Sequence, residues 1–167
     1  MSHAISSHNR RTLAASSKPP EANNLNQCNC RMSSECPLDN KCLEECLVYE
    51  ATITSNEGSK VYLGSTEASF KTRFTQHKAS LVHESKSSST ALSKHVWDLK
   101  TRGIPHEIKW RIVSKCQPYK CGSRRCDLCL TEKFEILKAD KAGCLNRNSE
   151  LMQKCRHNNK HKLGKVP

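Results

Sequence analysis

Val61-Tyr62-Leu63-Gly64-Ser65-Thr66, followed by Phe70-Lys71-Thr72-Arg73-Phe74-Thr75-Gln76-His77-Lys78, is the stretch that decides the fold. It predicts a short strand, a turn and an amphipathic helix. Tyr62 stands on the strand. Arg73 and His77 lie four residues apart, so they share one face of the helix. A cation beside a proton acceptor is a pairing able to hold and cut a phosphodiester. What completes that site is sought in the rest of the chain.

Upstream, Leu47-Val48-Tyr49-Glu50-Ala51-Thr52-Ile53 alternates and is β-prone, with Leu47, Tyr49, Ala51 and Ile53 on one face. Ser55-Asn56-Glu57-Gly58 reads as a turn, and Lys60 to Leu63 as the returning strand of a hairpin. The helix after it is expected from about Glu67 to Val82, with Phe70, Phe74, His77 and Leu81 at helical spacing and the two phenylalanines in the core. A polar loop, Ser85 to Ser89, leads to a second helix at about Thr90 to Thr101. Its buried stripe is Leu92, Val96 and Leu99, and Gly103 and Pro105 stop it. Glu107 to Val113 alternates again, Ile108, Trp110 and Ile112 inward and Lys109 and Arg111 outward. Asp127 to Lys138 predicts a third helix whose apolar line is Leu130, Phe134 and Leu137; Glu132 lies on a neighbouring face with Cys129 and Ile136. A small sheet cannot bury itself, so helices must cover it. The class is α+β: a three-stranded antiparallel sheet flanked by helices.

The chain has 167 residues, a net charge of +12 and a pI near 9.3. That balance favours a polyanionic partner, nucleic acid or an anionic surface. No apolar run approaches the ~18 residues that a spanning helix needs, and Met1 to Glu21 are expected to hold no hydrophobic core of a secretory signal. Nucleic acid is the better partner, with no membrane. Residues 1–26 read as a disordered leader, 27–46 as a Cys-rich linker, 47–157 as the main domain and 158–167 as a basic tail.

Eleven cysteines in a chain with no secretion signal point to metal rather than disulfides. In the linker, Cys28, Cys30, Cys36, Cys42 and Cys46 crowd a turn-rich stretch too poor in apolar residues to fold alone. Bound zinc would supply the missing stability. The expected ligands there are Cys30, Cys36, Cys42 and Cys46. A second zinc half-site is Cys126-x2-Cys129 at the start of the third helix, completed by Cys155 and His157, with His161 as the rival. With four positions filled, that zinc would be structural, a clamp on the helix that carries Glu132.

Val48-Tyr49, Tyr62-Leu63-Gly64, Arg73, His77, a helix glutamate and Asn146, in that order, resemble the GIY-YIG nuclease domain. The nearer resemblance is to the endonuclease of Penelope-like retroelements. It rests on Cys36-Pro37-Leu38 leading to Cys42, Val48-Tyr49-Glu50-Ala51-Thr52, Phe70-Lys71-Thr72-Arg73-Phe74 and Leu92-Ser93-Lys94-His95-Val96-Trp97. It continues through Ile108-Lys109-Trp110, Cys126-Asp127-Leu128-Cys129, Leu145-Asn146 and Cys155-Arg156-His157, and so covers about Cys28 to the C-terminus. Leu47 replaces the glycine of the first motif and Leu63 the isoleucine of the second. Ser65 and Thr66 stand where many relatives carry a lysine, which shifts weight onto His77.

The resemblance implies an enzyme that nicks target DNA by hydrolysing a phosphodiester, so that a reverse transcriptase can prime on the freed end. Glu132 would hold one Mg2+ or Mn2+, with Glu135 as the rival ligand. Arg73 would bind the phosphate, and His77 or Tyr49 would act as general base. Tyr62 would orient water or phosphate, and Asn146 would tie the last segment to the site. The partners implied are DNA and a reverse transcriptase of the same element, and the location is the nucleus. Two alternatives remain open: a zinc-stabilised nucleic-acid-binding module without catalysis, and a structure-specific repair nuclease.

Overall fold

The computed structural model describes residues 28–120, 123, 125–155 and 157. The expected leader, the basic tail, Cys121 and His161 lie outside them.

The expected α+β class holds. Strands β1 (Leu47–Ser55), β2 (Gly58–Thr66) and β3 (His106–Lys115) form an antiparallel sheet in the order β2-β1-β3. Each strand runs beyond its sequence prediction. The hairpin between β1 and β2 turns through Gly58, whose φ of +116° only glycine adopts without strain. Register pairs Tyr49 with Gly64 and Ala51 with Tyr62. Because side chains alternate, both tyrosines therefore share one face. Between β1 and β3 the register shifts at Val48/Tyr49, a bulge at the residue that carries the buried phenol.

Helices α1 (Phe70–Val82) and α2 (Ala91–Thr101) are joined by one 3-10 turn at Glu84–Lys86. Helix α1 starts later than expected: Glu67 lies in the loop before it, and Ser69 caps the helix by accepting from the Thr72 amide. Thr90 and Ser93 close a reciprocal capping box on α2. One core holds Leu47, Tyr49, Ala51, Ile53, Tyr62 and Phe70 together with Leu92, Val96 and Leu99. The α2 stripe is thus the one its periodicity predicts. Trp110 closes this core, with ring centroids 5.6 Å from Phe70 and 5.5 Å from Phe74.

A second, smaller core joins Val48, Cys116, Cys126 and Leu128. It docks α3 (Asp127–Lys138) on the sheet's opposite face. The expected apolar line of α3 is corrected here: Leu130, Phe134 and Leu137 are 54%, 58% and 62% exposed. Leu128 and the cysteines turn inward instead. A short helix, α4 (Asn148–Met152), follows.

Candidate active site and metal centres

The outer edge of β2 organises the site. An open edge leaves every second N–H and C=O unpaired, and here Val61, Leu63 and the Ser65 amide find partners. The Val61 amide donates to Gly143 O at 2.8 Å, and the Leu145 amide donates to Val61 O at 2.8 Å. The Asn146 side chain mimics a peptide at the next position: its Oδ1 accepts from the Leu63 amide and its Nδ2 donates to Leu63 O, both at 2.7 Å. At the third position the Ser65 amide and hydroxyl face the carboxylate of Glu132. Asn146 and Glu132, far apart in sequence, thus sit on adjacent rungs of one strand.

On the helical face of the sheet, Tyr49 lies across β2. Gly64 permits this, since a Cβ on Gly64 would come within 2.5 Å of Tyr49 Oη. The phenol is fixed at both lone pair and proton. Arg73 Nε donates to Tyr49 Oη at 2.9 Å, and Tyr49 Oη lies 2.7 Å from His77 Nε2. With the arginine donating to one lone pair, the phenol proton is free to point to His77, an arrangement in which the imidazole is neutral and its Nε2 accepts. Burial first, and Arg73 second, pull His77 down to about 3, consistent with that state. Burial pushes Tyr49 up to about 12, although Arg73 opposes the rise; burial also raises Tyr62.

His77 and Tyr49, expected as candidate general bases, are both buried: Tyr49 is 0% and His77 2% exposed. Tyr49 holds Arg73 Nε and His77 backs Tyr49, while Arg73 Nη1 donates to Gln76 Oε1 at 2.9 Å.

Tyr62, Ser65, Arg73 and Glu132 line one cavity of about 540 Å³. Burial raises the Glu132 carboxyl, and the charge of Glu150 adds to the rise while Ser65 and Arg73 oppose it. The rival Glu135 instead pairs with Lys138 at 3.3 Å. Glu150 was not foreseen. It accepts from Asn146 Nδ2 at 2.6 Å and lines the same cavity. The four-residue spacing of Asn146 and Glu150 was the available signal.

Two further sets of side chains could hold a metal ion such as zinc. Cys126, Cys129, Cys155 and His157 place their ligand atoms within 4.8 Å of one another. His157 Nδ1 lies 3.4, 3.2 and 3.5 Å from the three sulfurs. A tetrahedral zinc site has ligand–ligand edges of about 3.6–3.8 Å. The other ring nitrogen, Nε2, faces Glu67 Oε2 at 3.7 Å, the usual outer partner of a metal-bound imidazole.

The linker set is Cys28, Cys30, Cys36 and Cys42. Its Cys30–Cys42 and Cys28–Cys42 sulfur separations are both 3.6 Å. Here Cys46 is corrected. It enters β1 with φ +50° and its sulfur points to Glu67 O at 3.5 Å, so Cys28 takes the fourth position. Burial and the neighbouring sulfurs push the Cys42 thiol up to about 12. At Cys36 burial acts the same way, but the Leu38 amide and other donors outweigh it and bring the thiol to about 7. Such crowding suits a cation. Both sets grip the site: the Lys71 amide donates to Cys42 O at 2.7 Å at the start of α1, and Cys129 lies one turn before Glu132 on α3. Comparison with family models, curated proteins and solved structures gave no match.

Proposed function

We propose that the protein is a metal-dependent DNA endonuclease of the GIY-YIG kind, of the type carried by Penelope-like retroelements. The observation that supports it best is the convergence of Arg73, Tyr62, Ser65 and Glu132 on one cavity, with Arg73 held from behind by Tyr49 and His77. In this reading Arg73 presents its remaining N–H groups to the scissile phosphate and stabilises charge that develops there. Glu132 would hold Mg2+ or Mn2+, which supplies Lewis acidity and an acidified water. Tyr62, whose phenol stays protonated, orients water or phosphate by hydrogen bonding. Tyr49 and His77 keep Arg73 from swinging away, and Asn146 keeps α4 against β2. Zinc in the two thiol-rich sets fixes the start of α1 and the start of α3, the helices that carry Arg73 and Glu132. The substrate is chromosomal DNA, a reverse transcriptase of the same element is the partner, and the nucleus is the location.

Nicking of supercoiled plasmid tests the proposal, comparing wild type with and without added Mg2+ and with Glu132→Ala. Relaxed circles are expected from the wild type with Mg2+, and a loss of at least about a hundredfold from the variant. Withholding Mg2+ is preferable to a chelator, which would also strip zinc. A folded, zinc-loaded wild type that binds DNA but leaves the plasmid supercoiled would replace the nuclease reading with the binding module.

A further inference from the structure

A second cavity, of about 560 Å³, adjoins the first along Arg73, Ser89 and Thr90, which line both. Their linings differ in their acids. The first sets Glu132 and Glu150 among Arg73, Lys133 and Lys154; the second carries Arg73, Gln76 and Lys86, with no carboxylate among the described residues. Two features show its wall as a set of donors. Gln76 spends its Oε1 on Arg73 Nη1 at 2.9 Å, which leaves its amide N–H groups to donate. The Lys86 ammonium has no ion-pair or hydrogen-bond partner among the described residues. The turn that carries Lys86 is itself well tied: its amide donates to His83 O at 3.0 Å, and the Ser87 and Ser89 amides donate to Glu84 O and Lys86 O at 2.8 and 3.1 Å.

We infer that this second cavity is a subsite for the sugar-phosphate backbone beside the phosphate being cut, contacted by Lys86 and Gln76 and sharing Arg73 with the cleavage site. The inference rests on the nuclease reading and adds to it the path of the strand. A metal-holding carboxylate repels every phosphate except the one its cation bridges. A wall free of acids suits the neighbouring phosphates, and the Lys86 ammonium and the Gln76 amide offer donors for backbone rather than base contacts. Arg73 then faces two phosphates and sets the register between them.

The salt dependence of duplex oligonucleotide binding, measured without Mg2+, reports phosphate contacts directly. Each contact adds about 0.9 to the slope of log Kobs against log salt. Lys86→Ala is expected to shrink that slope by about one such step, Lys86→Arg to retain it, and Lys109→Ala, on the opposite face of the sheet, to leave it unchanged. A Lys86→Ala slope equal to wild type, in a preparation that nicks plasmid, overturns the subsite and leaves the nuclease standing. A Lys86-dependent slope without any nicking overturns the nuclease reading, and with it the placement beside a scissile phosphate. Equal losses from Lys86→Ala and Lys109→Ala would mean diffuse attraction and would also overturn the subsite.

Discussion

Gly64 is the residue on which the geometry of Tyr49 turns. A methyl there would come within 2.5 Å of Tyr49 Oη and 2.7 Å of its Cζ, and the buried ring has no room to yield between Phe70, His77 and Trp110. Gly64→Ala is therefore expected to cost about 1–3 kcal/mol, as overpacking in a filled core does, read as a lower midpoint in chemical denaturation. It should also weaken nicking, because the displaced phenol releases Arg73 Nε. A variant as stable as wild type would show that the ring has another place to go. Next to Gly64, Ser65 turns its amide and hydroxyl outward to the carboxylate of Glu132. Glu67, passed over in the sequence as an ordinary helix residue, ties the start of β1 to the second thiol-histidine set: its carbonyl takes the Cys46 amide at 3.2 Å, and its carboxylate faces His157.

At the scale of elements, α3 shows how a helix can face against its own periodicity. Leu130, Phe134 and Leu137 recur at helical spacing and would be the buried stripe of an ordinary amphipathic helix. They are exposed because the other side of the helix carries Cys126, Cys129 and Glu132, and these are bound by partners elsewhere in the chain: Cys155, His157 and the edge of β2. Leu128→Ala should accordingly cost about 2–5 kcal/mol, whereas Phe134→Ser should stay within about 0.5 kcal/mol. Equilibrium unfolding of both variants checks this, and the reverse ranking would put the apolar line back in a core. Helix α2 had no such competing demand, so Leu92, Val96 and Leu99 are buried as their spacing predicts. Strand lengths fell short in the sequence because β-bonding continues past the apolar alternation into Gly58-Ser59 and Ser65-Thr66, polar residues that a hydrophobic period does not count.

Over the whole molecule, the small sheet is held from both ends by thiol-rich sets, one at the entry to α1 and one at the entry to α3. Metal bound there would give a core this modest what it lacks in buried area. The expected outcome of stripping zinc with a chelator is loss of near-native circular dichroism together with nicking, both recovered by Zn2+ with Mg2+ and neither by Mg2+ alone. Metal analysis of the starting protein should give two zinc ions per chain; a chelated protein that keeps its structure would refute this scaffolding role. The sequence by itself determined the α+β class, the order of the elements, the α2 stripe and the four residues of the second thiol-histidine set. Those follow from local periodicity and from close spacing of uncommon ligands, which need no knowledge of distant contacts. Only the tertiary structure decided that Tyr49 and Tyr62 share a face, that Cys28 rather than Cys46 completes the linker set, that α3 turns its apolar line outward, and that Glu150 faces Glu132. Each depends on register or on the meeting of distant segments: a one-residue slip in β1 would move Tyr49 to the opposite face of the sheet, and no local pattern records where the two strands meet.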